Sequence, residues 1–354
     1  MLLQTDDVAT KTMTILTSSS DPVRAGRAPL AAWRQALQTS VRDPGELCQR
    51  LQLPAEFESA AIRASRDFPV FAPLSYIARM ERGNPRDPLL RQVLPLDDEL
   101  LAAQGFTSDP VGDLAARRAA GLLHKYHGRA LMITTGVCAV HCRYCFRRQY
   151  PYEDSPGMPV RWAAAVEEIR QDSSLEEVIL SGGDPLTIGD SPLANLAELL
   201  ASIPHLRRLR IHTRLPIVIP ERVTEELVRW LRATRLTPVM VVHANHPREL
   251  DGAVQTALGR LADAGIPLLN QAVLLRGVND RADVLADLSQ RLLDCRVLPY
   301  YLHQLDRVAG AAHFETPVEV GRQLIAELTT RLPGYAVPRY VREVPGAAAK
   351  VRIM

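Results

Sequence analysis

The sequence lacks the features that mark secreted and membrane proteins. Its 354 residues include five cysteines, an odd number, and three of these fall within eight residues. A disulfide scaffold would need paired cysteines, so we expect a reduced, cytoplasmic protein that uses thiolates as ligands. No stretch approaches the roughly 18 uninterrupted apolar residues of a membrane span. The first residues lack a basic segment followed by an apolar one, which predicts no signal peptide.

The sequence also has little net charge. Lys and Arg total 42 against 40 Asp and Glu, which leaves +2. This balance gives no overall field for nucleic acid or an anionic membrane, and we expect neither as a partner. Hydrophobic residues make up 47% and charged residues 23%, as in an ordinary globular protein. The length suits one large α/β domain with an added segment.

We divide the sequence into four segments by composition and periodicity. Residues 1–28 are rich in Ser and Thr and are predicted to form a flexible tail. Residues 29–122 have helical patterns interrupted by proline, and we predict an amphipathic helix from Pro73 to Arg82 that ends before Gly83. Residues 123–340 alternate between strand and helix patterns, and residues 341–354 form a short C-terminal segment.

Six short apolar or β-branched runs predict the strands of the third segment. Each gap between them can hold one amphipathic helix, such as the one predicted from Asp251 to Ala264. Strands that alternate with helices in this way indicate a parallel sheet with right-handed crossovers. Six units predict an α/β fold with a partial (β/α)6 barrel, preceded by a mainly helical N-terminal extension. The runs are Leu131–Val137, Glu177–Ser181, Arg208–Thr213, Pro238–His243, Pro267–Leu275 and Val297–Leu302.

A cysteine cluster follows the first predicted strand. Cys138, Cys142 and Cys145 have the spacing C-x3-C-x2-C. Three thiolates on one short loop can hold three irons of a [4Fe–4S] cubane, which usually has four cysteine ligands. The fourth iron then keeps an open position for a substrate or cofactor. We therefore interpret this loop as an iron–sulfur site.

A structural zinc site is the alternative interpretation of the same loop. Closed zinc sites need four ligands, usually in two spaced pairs. Cys48 and Cys295 stand alone in the sequence, so no second pair exists. His141 lies between two of the clustered cysteines and is more simply explained as a loop residue.

The triad, with Tyr144 before its last cysteine, resembles the radical S-adenosylmethionine (SAM) superfamily. The resemblance implies that SAM chelates the open iron and is cleaved reductively to a 5′-deoxyadenosyl radical. Adjacent glycines after the second strand let the backbone approach a ligand and expose its N–H and C=O groups. An ordinary turn there, and satisfied core polar residues elsewhere, are the alternatives. The residues that match SAM-side positions are Tyr144, Ser181, Gly182, Gly183, Asp184, His243 and Gln271.

Eight segments read together resemble the lysine 2,3-aminomutases. They are LLHKYHGRALM, GVCAVHCRYCFRR, LSGGDPL, RIHTRLPIVIP, HANHP, NQAVLLRGVND, PYYLHQLDRVAGAAHF and EVPGAAAKVRIM. The resemblance implies an isomerase that carries pyridoxal 5′-phosphate (PLP) on Lys350 in the C-terminal segment. It also implies that Lys125, Tyr126 and Arg129 bind the phosphate, for which cations and a phenol are apt partners. Without the resemblance these residues would be solvated charges.

The sequence departs from the family pattern just before this lysine. The family favours a run of glycines there, whereas this chain has Gly346 followed by three alanines, residues 347–349. Alanine still permits close packing but makes the loop stiffer.

The same resemblance identifies candidate substrate-binding residues. Arg147 matches the position that binds the substrate carboxylate, and Asp306 and Glu343 match the positions that bind the ε-ammonium of lysine. Two carboxylates attract an ammonium but would repel the side chain of glutamate, which argues against a glutamate aminomutase. Glu343 is a second departure, because lysine enzymes typically have aspartate there, and its extra methylene alters the position of the ammonium or the stereochemical course.

Within the family the sequence is most similar to the branch that supplies (R)-β-lysine to elongation factor P through a separate lysyl ligase. Phe146, the segment RMERGNPRDPLLRQVLP and the short C-terminus carry this similarity. Arg281 stands where metabolic relatives have a zinc-binding cysteine, so we expect no structural zinc and a looser assembly such as a homodimer. The electron donor is expected to be of flavodoxin or ferredoxin type. The alternatives are a metabolic aminomutase for lysine or another amino acid, and a non-catalytic iron–sulfur or zinc protein.

Overall fold

The computed structural model describes residues 31–152 and 162–354, and Ala32–Met354 form one compact unit. The tail predicted over residues 1–28 lies outside the described residues. The α-helices are α1 (Ala32–Gln38), α2 (Pro44–Arg50), α3 (Ala55–Ala64), α4 (Leu74–Ile77), α5 (Ala163–Gln171), α6 (Asp190–Ala201), α7 (Leu215–Val218), α8 (Glu225–Ala233), α9 (Gly252–Asp263), α10 (Ala282–Asp294) and α11 (Val318–Arg331). Within the described ranges no helix has both the length and the apolar character needed to cross a membrane.

The strands of the described chain form one ten-stranded sheet in which the spatial order follows the sequence order. Strands β3 to β9 are parallel to one another, whereas β1 and β2 pair antiparallel at one edge and β10 pairs antiparallel at the other. The strands are β1 (Arg117–Ala119), β2 (Leu122–Tyr126), β3 (Arg129–Thr135), β4 (Glu177–Gly182), β5 (Arg208–Thr213), β6 (Thr237–Val242), β7 (Leu268–Val273), β8 (Leu298–His303), β9 (Arg339–Arg342) and β10 (Val351–Arg352).

The α/β barrel-type fold predicted from the sequence is confirmed. All six predicted strands are present as β3 to β8, with ends that differ by no more than two residues from the predicted ones. They pair in sequence order, as right-handed strand–helix–strand units require. The structure adds a seventh parallel strand, β9, and the short antiparallel strands at the two edges.

Helix α9 illustrates how a crossover helix is built. Asp251 accepts a hydrogen bond from the backbone N–H of Val254 at 2.9 Å, which caps the first turn. The helix buries Val254, Ala257, Leu258 and Leu261. Each buried Val or Leu stabilises the fold by about 1.5–3 kcal/mol.

The helix predicted from Pro73 to Arg82 is wrong beyond its first turn. Helix α4 covers only Leu74–Ile77, and the chain then continues in tight turns. Beyond Ile77 the backbone N–H groups of Arg79 and Met80 bond to the carbonyls of Tyr76 and Ile77, three residues back, so the α-helical pattern does not continue. The Arg79 side chain also donates to the Ser75 carbonyl, at 3.1 Å. Further toward the C-terminus, β1 and the first residue of β2 fall within residues 29–122, where helical patterns were expected.

Candidate active site

A cavity of about 780 Å³ is lined by residues of β2 to β8 and of the loops that follow them. The carboxyl ends of parallel strands are where such folds place ligands. Every residue that the sequence assigns to a site borders this one cavity. These residues are Lys125, Tyr126, Arg129, Cys138, Cys142, Tyr144, Cys145, Arg147, Ser181, Gly182, Gly183, Asp184, His243, Gln271, Asp306, Glu343 and Lys350.

The loop that carries the three cysteines follows β3 and is anchored to the N-terminal region. Arg143 is fully buried and makes a bidentate pair with Glu99, at 2.8 Å from Nε and 2.6 Å from Nη2. Arg148 adds a third hydrogen bond to Glu99 at 2.8 Å. His141 stacks on Phe68, so its ring packs the loop. These contacts hold the loop in one position before any ligand binds.

The three thiols fit a cubane in their chemistry and proximity. Cys138, Cys142 and Cys145 line the same cavity, and burial, with smaller contributions from Cys145 and Cys142, raises the pKa of Cys138. Burial also raises the pKa of Cys145 to about 11. Within the described ranges no three His, Cys, Asp or Glu side chains converge closely enough for one metal ion. A cubane needs a wider spacing, because each thiolate binds a different iron.

The glycine pair after β4 lies against the start of the cysteine loop. A Cβ on Gly183 would stand 2.3 Å from the carbonyl oxygen of Val137, so only glycine fits there. The N–H groups of Gly183 and Asp184 donate to Thr135 and Val137 at 2.7 and 2.8 Å. The expectation that the glycine pair exposes its N–H groups is therefore wrong for Gly183, whose N–H joins the two loops. The carbonyl of Gly182 accepts a hydrogen bond from the Tyr152 hydroxyl at 3.0 Å.

Asp184 holds the ends of β4 and β5 together. Its two oxygens accept four hydrogen bonds, from the Thr213 hydroxyl and from the backbone N–H groups of Leu186, Arg214 and Leu215. Burial raises the pKa of Asp184 to about 6, although these four donors favour its charged form. A carboxylate that is already saturated positions its loop and has little capacity left for SAM.

Lys350 and Glu343 face each other because of the antiparallel β9–β10 pair. Glu343 directly follows β9, Lys350 directly precedes β10, and Lys350 Nζ lies 2.5 Å from Glu343 Oε2. Gly346, in the connecting loop, has φ +77°, a conformation that favours glycine. Among the described residues only Gln52 and Arg296 have positive φ without being glycine. The three alanines of this loop therefore adopt ordinary backbone angles, and the departure from a glycine run brings no strain.

An alternating chain of charges connects the cysteine loop to Lys350. Arg147 Nε donates to Asp113 at 2.6 Å, and Asp113 also pairs with Lys125 Nζ at 2.5 Å. Lys125 in turn donates to the second oxygen of Glu343 at 2.8 Å. Sequence reasoning missed Asp113, which is 1% exposed and comes from the N-terminal region.

The two carboxylates predicted to bind the substrate ammonium differ in protonation. Burial raises the pKa of Glu343, but Lys350 and Lys125 outweigh it and lower the pKa to about 2. Burial and the neighbouring Glu343 raise the pKa of Asp306 to about 7, against the opposing effect of Lys350 and Lys125. Glu343 is thus ionised at neutral pH, whereas Asp306 is close to half protonated.

The three residues predicted to bind phosphate differ in how many contacts they already make with the protein. Lys125 already contacts two carboxylates and the carbonyl of Val111. The hydroxyl of Tyr126 is buried without a hydrogen-bond partner among the described residues, and Arg129 lies over the Tyr126 ring, with Cζ 4.9 Å from the ring centroid. A buried phenol without a partner is costly, and a phosphate oxygen would satisfy it.

A histidine-rich wall completes the cavity. Gln271 Nε2 lies 2.9 Å from His243 Nε2 and 3.5 Å from His212 Nδ1. Burial lowers the pKa of His243 to about 3 and lowers that of His212 as well, so both imidazoles are neutral. Nε2 of His212 and of His303 is buried without a partner in the described part of the chain. His212 and His303 were not predicted as site residues, although His212 lies in a predicted strand and His303 directly follows one.

Comparison with known proteins gives one family model and several relatives. The radical SAM superfamily model matches residues 132–288. An L-lysine 2,3-aminomutase of Escherichia coli (strain K12) is 48% identical over 319 residues, which is 90% of this chain and 93% of that protein. The L-lysine 2,3-aminomutase of Haemophilus influenzae is 45% identical and covers 90% of this chain and 94% of its own. That of Clostridium subterminale is 36% identical and covers 91% of this chain and 77% of its own.

Proposed function

Since the chain belongs to the lysine 2,3-aminomutase family of radical SAM enzymes, we propose that it converts L-lysine to (R)-β-lysine for the modification of elongation factor P. Membership makes it an isomerase. The observation that carries the proposal is that Lys350 and the three clustered cysteines border the same cavity. A radical generated at one site and a substrate held at the other can then meet without diffusion through solvent.

Family membership implies a [4Fe–4S] cluster, SAM and PLP. Cys138, Cys142 and Cys145 would hold the cluster, and Lys350 would hold PLP with Tyr126 and Arg129 at its phosphate. When bound, the cluster and SAM supply a radical that removes hydrogen, and PLP supplies a conjugated ring that delocalises the unpaired electron. The unpartnered Tyr126 hydroxyl supports the phosphate assignment.

The side chains of the cavity orient the substrate. Arg147 uses Nε for Asp113 and Nη1 for the Ser181 hydroxyl, and within the described residues its Nη2 has no partner. That nitrogen is available to the substrate carboxylate. At the other end, the Asp306 carboxylate borders the cavity and makes no side-chain hydrogen bond within the described residues. An α-amino acid with a distal ammonium can pair its α-carboxylate with Arg147 and its ammonium with Asp306. An amino acid with a distal carboxylate cannot make the second pair.

The cavity wall combines apolar and polar side chains. Leu123, Leu131, Ile179, Val239 and Leu269 line part of it, and tyrosines such as Tyr300 and Tyr301 line another part. The apolar side chains strengthen the electrostatic contacts near them. The protein contributes alignment of the substrate, and the cofactors carry the difficult chemistry.

The elongation factor P pathway rests on finer sequence features. Phe146 lies in CRYCFRR, and its ring packs under the guanidinium of Arg147, with Cζ 4.8 Å from the ring centroid. Phe146 thus supports the arginine that is proposed to bind the substrate carboxylate. The pathway also involves a lysyl ligase and a flavodoxin- or ferredoxin-type electron donor, and we propose a cytoplasmic location and a homodimer. The alternative is an aminomutase that serves free lysine metabolism.

Two measurements test the proposal. Anaerobically reconstituted protein is given L-lysine, L-glutamate or L-arginine with SAM and dithionite, and α- and β-amino acids are separated. We expect β-lysine alone, and a β-amino acid from another substrate in preference to lysine would contradict the substrate. Deletion of the gene, followed by intact-mass analysis of elongation factor P, tests the pathway. If the mass of elongation factor P does not change on deletion, the pathway assignment is wrong and the enzyme serves free lysine metabolism.

A further inference from the structure

Arg214 touches one of the cysteines that would bind the cluster. Its Nη1 lies 2.7 Å from Cys142 Sγ and 2.8 Å from the hydroxyl of Tyr144. Arg214 follows β5 directly and stands 72 positions after Cys142 in the sequence. A guanidinium is always charged and donates its N–H groups in fixed directions. Its contact with sulfur is therefore a charge-assisted hydrogen bond with a defined geometry.

The position of this guanidinium is fixed from every side. Nη2 donates to Gln92 at 2.7 Å, to Glu249 at 2.9 Å and to the Tyr76 hydroxyl at 3.2 Å. The backbone N–H of Arg214 donates to Asp184 at 2.6 Å. The side chain is 6% exposed and that of Glu249 is fully buried. Arg214 cannot move away from Cys142 without breaking a buried ion pair.

Arg214 could act on the sulfur through its positive charge or through its hydrogen bond, and the ion pair with Glu249 decides between these two effects. A buried carboxylate 2.9 Å from the guanidinium cancels most of its charge at longer range. The hydrogen bond to sulfur persists, because it depends on direct contact. The arginines of the cysteine loop have other partners: Arg143 and Arg148 pair with Glu99, and Arg147 pairs with Asp113. Among the described residues, none of these three guanidinium groups has a hydrogen bond to a cysteine sulfur, whereas that of Arg214 does.

We propose that Arg214 is a positioning residue that raises the reduction potential of the cluster through its hydrogen bond to the Cys142 thiolate. The inference rests on the cluster of the proposed function and on neither its lysine substrate nor PLP. Reduction adds one electron to the [4Fe–4S]²⁺ state, with no bond formed or broken, and a low-potential one-electron carrier supplies it. Hydrogen bonds to cluster sulfurs stabilise the more electron-rich state, which raises the potential.

The matched test compares Arg214→Lys with Arg222→Lys, because Arg222 is also a buried arginine in an ion pair, with Asp190, but does not line the cavity. Lysine keeps the charge but cannot serve Glu249, Gln92 and sulfur together, because it lacks the planar fork. Reductive titration without SAM, followed by the EPR signal of the reduced cluster, measures the ratio of reduced to oxidised protein. At a fixed ambient potential we expect this ratio to fall about tenfold in Arg214→Lys, equivalent to about 59 mV for one electron. Arg222→Lys should titrate like the unaltered protein. Equal titrations for all three proteins at full iron content would overturn the proposal.

A second measurement needs no substitution and covers the case in which Arg214→Lys binds no cluster. Protein labelled with ¹⁵N in its arginine guanidinium groups is reduced and studied by pulsed EPR. A hydrogen bond to the Cys142 thiolate should couple a guanidinium nitrogen to the cluster spin. A reduced cluster without any arginine nitrogen coupling would refute the contact. Both experiments can succeed even if lysine proves to be the wrong substrate, and both can fail while lysine is converted.

Discussion

Lys350 and Glu343 form an ion pair in which Nζ lies 2.5 Å from Oε2. The lysine predicted to carry PLP thus contacts a carboxylate predicted to bind the substrate ammonium. Glu343 also binds Lys125 through its other oxygen, so one carboxylate is shared by two cations. The cofactor end and the substrate end of the cavity are therefore electrostatically connected, and changes at one end should be measurable at the other.

Replacement of Lys350 tests the PLP assignment. Lys350→Ala should bind no PLP covalently, so the visible absorption band of the lysine–PLP imine should be absent at any PLP concentration. Lys125→Ala is the matched control from the same cavity, and it should need more PLP but reach the full band. An imine band in Lys350→Ala would show that another amine carries the cofactor.

The pH dependence of lysine use should report Asp306. Its pKa is raised to about 7, by burial first and by Glu343 second, so the substrate ammonium loses one carboxylate partner as the pH falls below 7. Glu343, with a pKa lowered to about 2, stays ionised throughout this range. We expect kcat/KM for L-lysine to fall about tenfold per pH unit below 7. Asp306→Asn should have a low kcat/KM that does not change with pH in this range. An equal slope in both proteins would show that Asp306 is not the group responsible.

The same group has a predictable effect on folding. An aspartate with a pKa of 3.8 when unfolded and about 7 when folded binds its proton more tightly in the folded state. The penalty for its burial is present above pH 7 and is relieved as the pH falls from 7 toward 4. Urea denaturation should therefore show that Asp306→Asn stabilises the protein at pH 8 and has little effect at pH 4. Destabilisation at pH 8 would contradict the raised pKa.

Asp113 should be essential to the arrangement of Arg147 and Lys125. Asp113→Asn leaves two cations with one fewer buried countercharge, and loss of a buried partner costs about 3–5 kcal/mol. We expect a lower urea midpoint and a raised KM for lysine, because Arg147 is then free to turn. Asp283→Asn is the matched control, since its pair with Arg281 is largely exposed, and it should leave both quantities unchanged. Equal effects of the two substitutions would refute a specific role for Asp113.

Glu99 should control assembly of the cluster. It accepts from Arg143 and Arg148 in a nearly fully buried site, so Glu99→Gln should loosen the cysteine loop. The expected result is less iron and sulfide per chain after identical anaerobic reconstitution. Glu46→Gln, at an exposed pair with Arg50, should reconstitute normally. Full iron content in Glu99→Gln would show that the loop is held by other contacts.

The fold could be predicted from sequence where short apolar or β-branched runs recur at regular spacing. Strand β4 is a continuous buried run, whereas β5 and β7 alternate between buried and partly exposed residues. Strand β9 was missed because it has four residues, two of which are exposed arginines. The extent of α4 could not be foreseen from its amphipathic pattern, because the backbone hydrogen bonds change after Ile77, where Arg79 and Met80 bond to carbonyls three residues back.

The sequence predicted the site residues that lie in local motifs, but not the contacts between residues far apart in the chain. Asp113 stands 34 positions from Arg147, and Arg214 stands 72 positions from Cys142, so no spacing rule pairs them. One signal was available in the composition. The chain has only three lysines among its 42 basic residues, and two of them, Lys125 and Lys350, border the cavity. A lysine kept in so arginine-rich a sequence indicates a position where a guanidinium cannot replace an amine.

The most direct test of a shared cavity follows hydrogen from the substrate to the SAM-derived product. The reconstituted protein is given L-lysine deuterated at C3, with SAM and dithionite, and the products are analysed by mass spectrometry. We predict deuterium in 5′-deoxyadenosine and in β-lysine, and no label transfer in Lys350→Ala or Cys142→Ala. Label-free 5′-deoxyadenosine alongside β-lysine, or no β-lysine from protein loaded with both cluster and PLP, would contradict the proposal that the two sites act on one substrate.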